Sequence, residues 1–202
     1  MERPRTEIPL FELPLVAVPG ERVPLHIFEE RYRRMFADCR DDGSPLAILL
    51  RTDGGTSSIG CAVELTEVLE EFGDGRLNVI VTGRHRIRIV DRREGEDYPL
   101  ATVEQLPEGD GGAADPGPAL AAFERLLAAA GSTSEPAPTM RSAFEIAARV
   151  ELPVATKQAL LECDSEAIRL ETLRETLDAL VEGAERSRQV AERAAGNGHA
   201  PI

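Results

Sequence analysis

The chain has no tryptophan, one lysine, three cysteines and three histidines in 202 residues, and aromatics make up only 4% of it. With so few rings, Leu, Val, Ile and Ala must build the core, and there is little material for a platform on which nucleobases could stack. Cys39, Cys61 and Cys163 are odd in number and far apart, each in an apolar setting. That pattern fits buried free thiols in a reducing cytoplasm better than a disulfide framework or a metal set. Positive charge is also scarce. The net charge is −13, with 14 basic and 20 acidic residues in 1–107 and 9 against 16 in 108–202. A chain acidic in both halves is a poor general binder of nucleic acid or of anionic membranes. No apolar run reaches the length of a membrane span, and the N-terminus MERPRTEIPLFE has no signal-like apolar core, so a cytoplasmic protein without membrane contact is expected. Arginine in place of lysine, with abundant Ala and Gly, points to a GC-rich bacterial genome.

Catalytic motifs are missing too. There is no GxxxxGK[ST] phosphate loop, no GxSxG elbow and no HExxH. The Gly-rich run over 52–58 follows no nucleotide fingerprint and reads as a flexible loop. His26, His85 and His199 are widely separated, and the carboxylate pairs Asp41-Asp42 and Glu70-Glu71 fall at turns. A Ser–Lys dyad would have to use Lys157, which reads as a solvated residue at a helix start. The expectation is therefore no catalytic residue, no cofactor and no metal.

What is present begins with residues 8–36, IPLFELPLVAVPGERVPLHIFEERYRRMF. Proline spacing makes 8–18 extended, and Pro14 predicts an edge or irregular strand. Pro19-Gly20 is a turn. A second strand over 23–28 follows, then a helix on whose apolar face Phe28, Tyr32, Met35, Phe36 and Cys39 fall at helical spacing. Further strands are expected at 46–51, 59–72, 77–90 and 98–106, with a hairpin turn at 72–76 and a bulge or bend at Gly83. After 107 the periodicity becomes helical, with helices over 119–130, 140–150, 153–163 and a long last one capped by Asp164 or Ser165.

Arg84, Arg86, Arg88, Arg92 and Arg93 lie within ten residues, the first three at alternate positions on one sheet face. They read either as a basic stripe for acidic peptides or RNA, or as a solvated face neutralised by Asp91, Glu94 and Glu96. The lack of interleaved aromatics favours the second reading.

Several short motifs recur in one order along the chain: Leu13-Pro14-Leu15, Pro19-Gly20, Pro24-Leu25, Ile27-Phe28-Glu29 and Arg31-Tyr32; then Ile59-Gly60-Cys61-Ala62-Val63, Asp74-Gly75-Arg76 and Thr82-Gly83-Arg84-His85-Arg86-Ile87; finally Leu152-Pro153, Lys157-Gln158-Ala159-Leu160-Leu161-Glu162 and Arg169-Leu170. Over most of 8–180 they resemble the N-terminal, substrate-binding domain of Lon proteases. The resemblance implies an α+β fold: a PUA-like open β-barrel of about six strands with one inserted helix, followed by a C-terminal helical bundle. It divides the chain into a barrel subdomain (1–107), a linker (108–118), a helical bundle (119–195) and a flexible tail (196–202). The family's ATPase and Ser–Lys peptidase domains have no counterpart among these residues, so proteolysis does not carry over. What carries over is a non-catalytic module for unfolded or exposed apolar protein segments, with a separate protease or chaperone as a further partner. Candidate peptide-contacting residues are Phe11, Phe28, Arg31, Tyr32, Arg84 and Arg86, of which Phe28 and Tyr32 serve equally well as core. The alternative is an RNA-binding PUA-like module resting on the arginine stripe.

Overall fold

Alternating apolar and polar residues over 77–94 make one long strand, and the rest of the sheet is laid along it. A computed structural model describes residues 4–109, 114–131 and 140–197, with side chains as far as 190. Among them are strands β1 (Arg5–Leu13), β2 (Arg22–Ile27), β3 (Leu46–Thr52), β4 (Gly55–Thr56), β5 (Ile59–Glu71), β6 (Leu77–Glu94) and β7 (Pro99–Gln105). The helices are α1 (Glu30–Asp42), α2 (Gly117–Ala129), α3 (Ala143–Ala147), α4 (Val154–Glu162) and α5 (Glu166–Asn197). The fold is thus a mixed one, a mostly antiparallel sheet with α1 inserted between β2 and β3 and helices at the C-terminal end. The sheet has seven strands rather than about six, because a two-residue strand, β4, folds back on β3 inside the expected 52–58 loop.

Strand order is β1-β7-β6-β5-β3-β4, with β2 also on β6. A parallel pairing of β1 with β3 closes a ring through β7, β6 and β5. Each of these five strands sends residues into one cluster, among them Leu10, Leu49, Ala62, Ile87 and Ala101, which fills the ring. β1 does not behave as an edge strand. Residues 5–9 pair with β7 and residues 10–13 with β3, and the strand stops before Pro14.

β6 changes partner in the same way. Its first part pairs with β2 and its second with β7, and the register against β5 slips between Ala62 and Val63, opposite Gly83 and His85. The turn segment after Pro14 crosses at this gap: Gly20 N–H donates to Gly83 O and Gly83 N–H donates to Glu21 O, each at 2.9 Å. Any Cβ at Gly83 would overlap the Val18 carbonyl oxygen, which is why the bend is a glycine. Gly20 supplies the positive φ (82°) of the crossing turn.

α1 packs Tyr32, Met35, Phe36 and Cys39 onto the sheet, as its spacing predicts. In the C-terminal part, Ala122, Phe123, Ile146, Leu161, Leu173 and Leu177 form a third cluster with Val16 and Val18 of the crossing segment. The 140–150 helix shortens to five residues. Ser142 caps it by accepting from Glu145 N–H at 3.2 Å, and Pro153 then holds Leu152 out of helical geometry. The last helix continues to Asn197, through the first two residues of the expected tail; 198–202 lie outside the described residues, as do 110–113 of the expected linker.

Sheet and helices are joined by two buried arginines. Arg86, 1% exposed, donates to Leu161 O (2.6 Å), Pro107 O (2.9 Å) and Asp164 Oδ1 (2.8 Å). Arg169, fully buried, donates to Cys163 O and Glu166 Oε2 (both 2.8 Å) and to Glu108 O, with its guanidinium 4.7 Å above the Phe144 ring. Arg86→Ala leaves two carbonyls without their donor, so urea denaturation should show a loss of about 3 kcal/mol. The exposed pair of Arg84 with Glu64, two residues away, predicts a change within about 0.5 kcal/mol for Arg84→Ala. The hydrogen bond from Arg86 also holds the Asp164 carboxyl below the usual carboxylate range. A depressed carboxyl stabilises the fold above its unfolded pKa and stops doing so as pH falls through its folded value. Asp164→Asn should therefore destabilise at neutral pH, and the gap to wild type should close as pH is lowered well below about 4.

Candidate functional site

Aromatic packing fixes the start of α1. Phe11 on β1 meets Tyr32 with ring centroids 4.4 Å apart and Phe36 edge-on at 5.8 Å. Phe11 and Tyr32 are both largely buried at this junction. Arg31 is exposed, with its guanidinium 4.5 Å above the Tyr32 ring and paired with Glu29 at 3.0 Å. Phe28 departs from its expected place on the helix face. The helix begins only at Glu30, Glu29 is extended, and the Phe28 ring stands 62% exposed. It lies 6.0 Å from His26, which in turn meets half-buried Phe72 edge-on at 6.2 Å. Arg76 covers Phe72 at 5.1 Å. Among so few aromatics, this is a group of rings left at the surface.

A cleft of about 370 Å³ opens where β1 passes from β7 to β3. Arg31 and Tyr32 form one wall; Leu10, Pro99 and Leu100 supply apolar surface; Arg51, Arg92 and Arg93 supply charge beside Glu12 and Glu94. Arg92 donates to Glu12 (2.7 Å) and Ser57 O (3.1 Å), and Arg93 makes a two-pronged pair with Glu7 at 2.5 and 2.6 Å. Arg51 is exposed, and its side chain makes no hydrogen bond or ion pair among the described residues. Burial raises the pKa of the Tyr32 hydroxyl, with Arg31 acting the other way. The spacing of the opening motif points to Arg31 and Tyr32 but not to Arg51, a single charged residue ending an apolar strand. Nothing in one strand's pattern says which other strand ends it will meet.

The arginine run does not form a basic face. Arg84 pairs with Glu64, Arg86 is enclosed by the helices, Arg92 and Arg93 are taken by Glu12 and Glu7, and Arg88 is left exposed without an ion pair among the described residues. The neutralising partners are thus residues brought in from other elements, not the neighbouring Asp91, Glu94 and Glu96. The stripe that an RNA-binding reading would need is thus reduced to isolated arginines, and nothing else among the described residues supports that reading. Lys157 is not solvated either: its ammonium pairs with Glu21, the two side chains being 12% and 14% exposed, and Glu21 also accepts from Val18 N–H at 3.1 Å. His26 bonds Asn78 at 2.7 Å, and half-buried His85, its pKa lowered by burial, lines a separate cavity of about 160 Å³. Among the described residues no group of three His, Cys, Asp or Glu side chains could hold a metal, and no helix is long and apolar enough to cross a membrane. The arrangement offers donors, cations and apolar surface, which are the means of binding.

The comparisons with known proteins decide the family. The model of the ATP-dependent protease La (LON) substrate-binding domain matches residues 7–179. The chain belongs to the Lon substrate-binding domain family. Among solved structures it is similar to a Lon N-terminal domain protein from Xanthomonas campestris, at 27% identity with a TM-score of 0.65, covering 83% of this chain and 96% of that one. The N-terminal domain of Mycobacterium avium complex Lon protease shares the fold at 19% identity and a TM-score of 0.68, covering 85% and 98%. The match is confined to the substrate-binding domain; neither an ATPase nor a protease domain lies within the 202 residues.

The three cysteines differ in how far they are covered. Burial pushes the Cys61 thiol up to about 12 and also raises Cys39, whereas Cys163 is only partly covered. In the native Lon-family chain a thiol reagent at mildly alkaline pH should label Cys163 alone, with Cys39 and Cys61 reacting only after denaturation.

Proposed function

We propose that the chain is a non-catalytic module that binds unfolded or otherwise exposed apolar protein segments. The observation that carries this reading is the exposed Phe28 ring, grouped with His26 and Phe72 on a domain whose family model is described as substrate-binding. Rings left in water cost free energy unless a partner covers them, and aromatics are the residues that most often anchor such contacts. Phe28 and Arg31 are then the exposed contacting members of the expected set, the packed rings of Phe11 and Tyr32 fix the start of α1 beneath them, Arg84 lies at the surface beside Glu64, and Arg86 acts as scaffold. In this reading the module is cytoplasmic and delivers segments to a separate protease or chaperone. Its PUA-like part spans 1–107 and its bundle 119–195, with 108–118 joining them.

Chemical-shift mapping with unfolded-protein peptides tests the proposal. Shifts should centre on His26, Phe28, Arg31 and Phe72, and Phe28→Ala should weaken binding about tenfold while leaving the denaturation curve unchanged, since the ring packs little. No shift at about 1 mM peptide would overturn it.

A further inference from the structure

The cleft beside Tyr32 has an unusual combination of features. Arg51 brings a guanidinium that makes no hydrogen bond or ion pair among the described residues, and Tyr32, 7% exposed, also lines the cleft, its hydroxyl without a hydrogen bond among them but within the electrostatic reach of Arg51. Arg31 lies across the Tyr32 ring as a second cation, while Arg92 and Arg93 are already held by Glu12 and Glu7. The floor is apolar, made by Leu10, Pro99 and Leu100. Above it, residues 10–13 of β1 pair with β3 on one side, and β7 has ended its pairing at Pro9 on the other. A free strand edge, an apolar floor and an unmatched cation next to a hydroxyl donor are complementary to an extended peptide that ends in, or carries, a carboxylate. A free inorganic anion would use the cation but leave the apolar floor uncovered.

We infer that this cleft is a carboxylate-recognition site for peptides, in which the Arg51 guanidinium and the Tyr32 hydroxyl hold the carboxylate and the β1 edge carries the chain that bears it. The inference rests on the peptide-binding reading above and adds to it a class of segment: a C-terminus or an acidic side chain beside apolar residues. Glu94, which also lines the cleft, is the selective counterpart, since a second negative charge on the ligand would meet it.

The test uses the full chain, its Arg51→Gln variant at an exposed position and its Tyr32→Phe variant, which keeps the ring in the core. Arginine side-chain NMR follows titration with N-acetyl-leucinate, with its amide, and with an apolar decapeptide made with a free or amidated C-terminus and with an internal Glu or Gln. The expected result is a shift of the Arg51 Nε–H resonance with leucinate and none with the amide. The carboxylate-bearing peptide should bind about tenfold more tightly than its neutral form, a preference abolished in Arg51→Gln and reduced several-fold in Tyr32→Phe. Whether the preference follows the terminus or the internal Glu identifies the source of the carboxylate. Equal binding of acid and neutral forms would overturn the site and leave the peptide-binding reading standing. A leucinate effect at Arg51 without any peptide binding would overturn both the β1-edge site for peptides and the peptide-binding reading, leaving only a contact for small carboxylates.

Discussion

Burying the guanidinium of Arg86 is the constraint on which the rest of the molecule depends. An arginine taken out of water is tolerated only if its donors are met, and here the partners come from two stretches far from it in the chain, residue 107 and residues 161–164. One is Leu161 O at the end of α4, one is Pro107 O where the sheet hands over to the helices, and one is Asp164 before α5. The last carbonyls of a helix have no intrahelical donor and carry the negative end of its dipole. Arg86 at Leu161 O and Arg169 at Cys163 O therefore sit where a cation is cheapest to bury and most useful. Without the helices Arg86 would be an ordinary exposed strand residue; without Arg86 the end of α4 would be uncapped against the sheet.

α4 is accordingly a bolt between the two parts. Its first turns are gripped by the Lys157–Glu21 pair and by Gln158, whose amide donates to Ser57 Oγ at 2.8 Å and Ile59 O at 3.1 Å. Its end is gripped by the two arginines. Lys157 and Gln158 are thus engaged in internal attachment, in a helix with only a weak apolar face of its own. The cleft, by contrast, is lined only by residues of β1, α1, β3, β6 and β7. Holding the parts together and presenting surface are tasks of different residues, so the surface can vary without loosening the joint.

That division explains how far the sequence could be read. The strands, the α1 face, the hairpin at 72–76 and the bend at Gly83 all follow from patterns within a few residues of each other, and each lies close to where periodicity and turn chemistry put it. Phe28 fits the helical spacing of Tyr32, Met35 and Phe36, yet spacing says nothing of where the helix starts, and a start at Glu30 turns the ring outward. Arg84 and Arg86 show the same limit. Alternation puts them on one sheet face, but only the arrival of α4, 75 residues downstream of Arg86, makes one exposed and the other buried. Lys157 meets Glu21 across 136 residues for the same reason. The cleft belongs to this class: five elements contribute, and none carries a motif for it.

The change of partner along β1 is what gives the cleft its chemistry. A strand that leaves one neighbour for another exposes part of its edge, and an exposed edge with apolar residues invites unwanted pairing. The arginines and glutamates around residues 10–13 guard that edge, because a neutral strand approaching it would have to desolvate Arg51 and Glu94 without a partner for either. The same guard becomes a filter when the approaching chain brings a carboxylate for Arg51. Protection against indiscriminate pairing and selectivity for a particular segment are then one electrostatic arrangement. A sheet that closed fully at β1 would have had no need of the first and no capacity for the second.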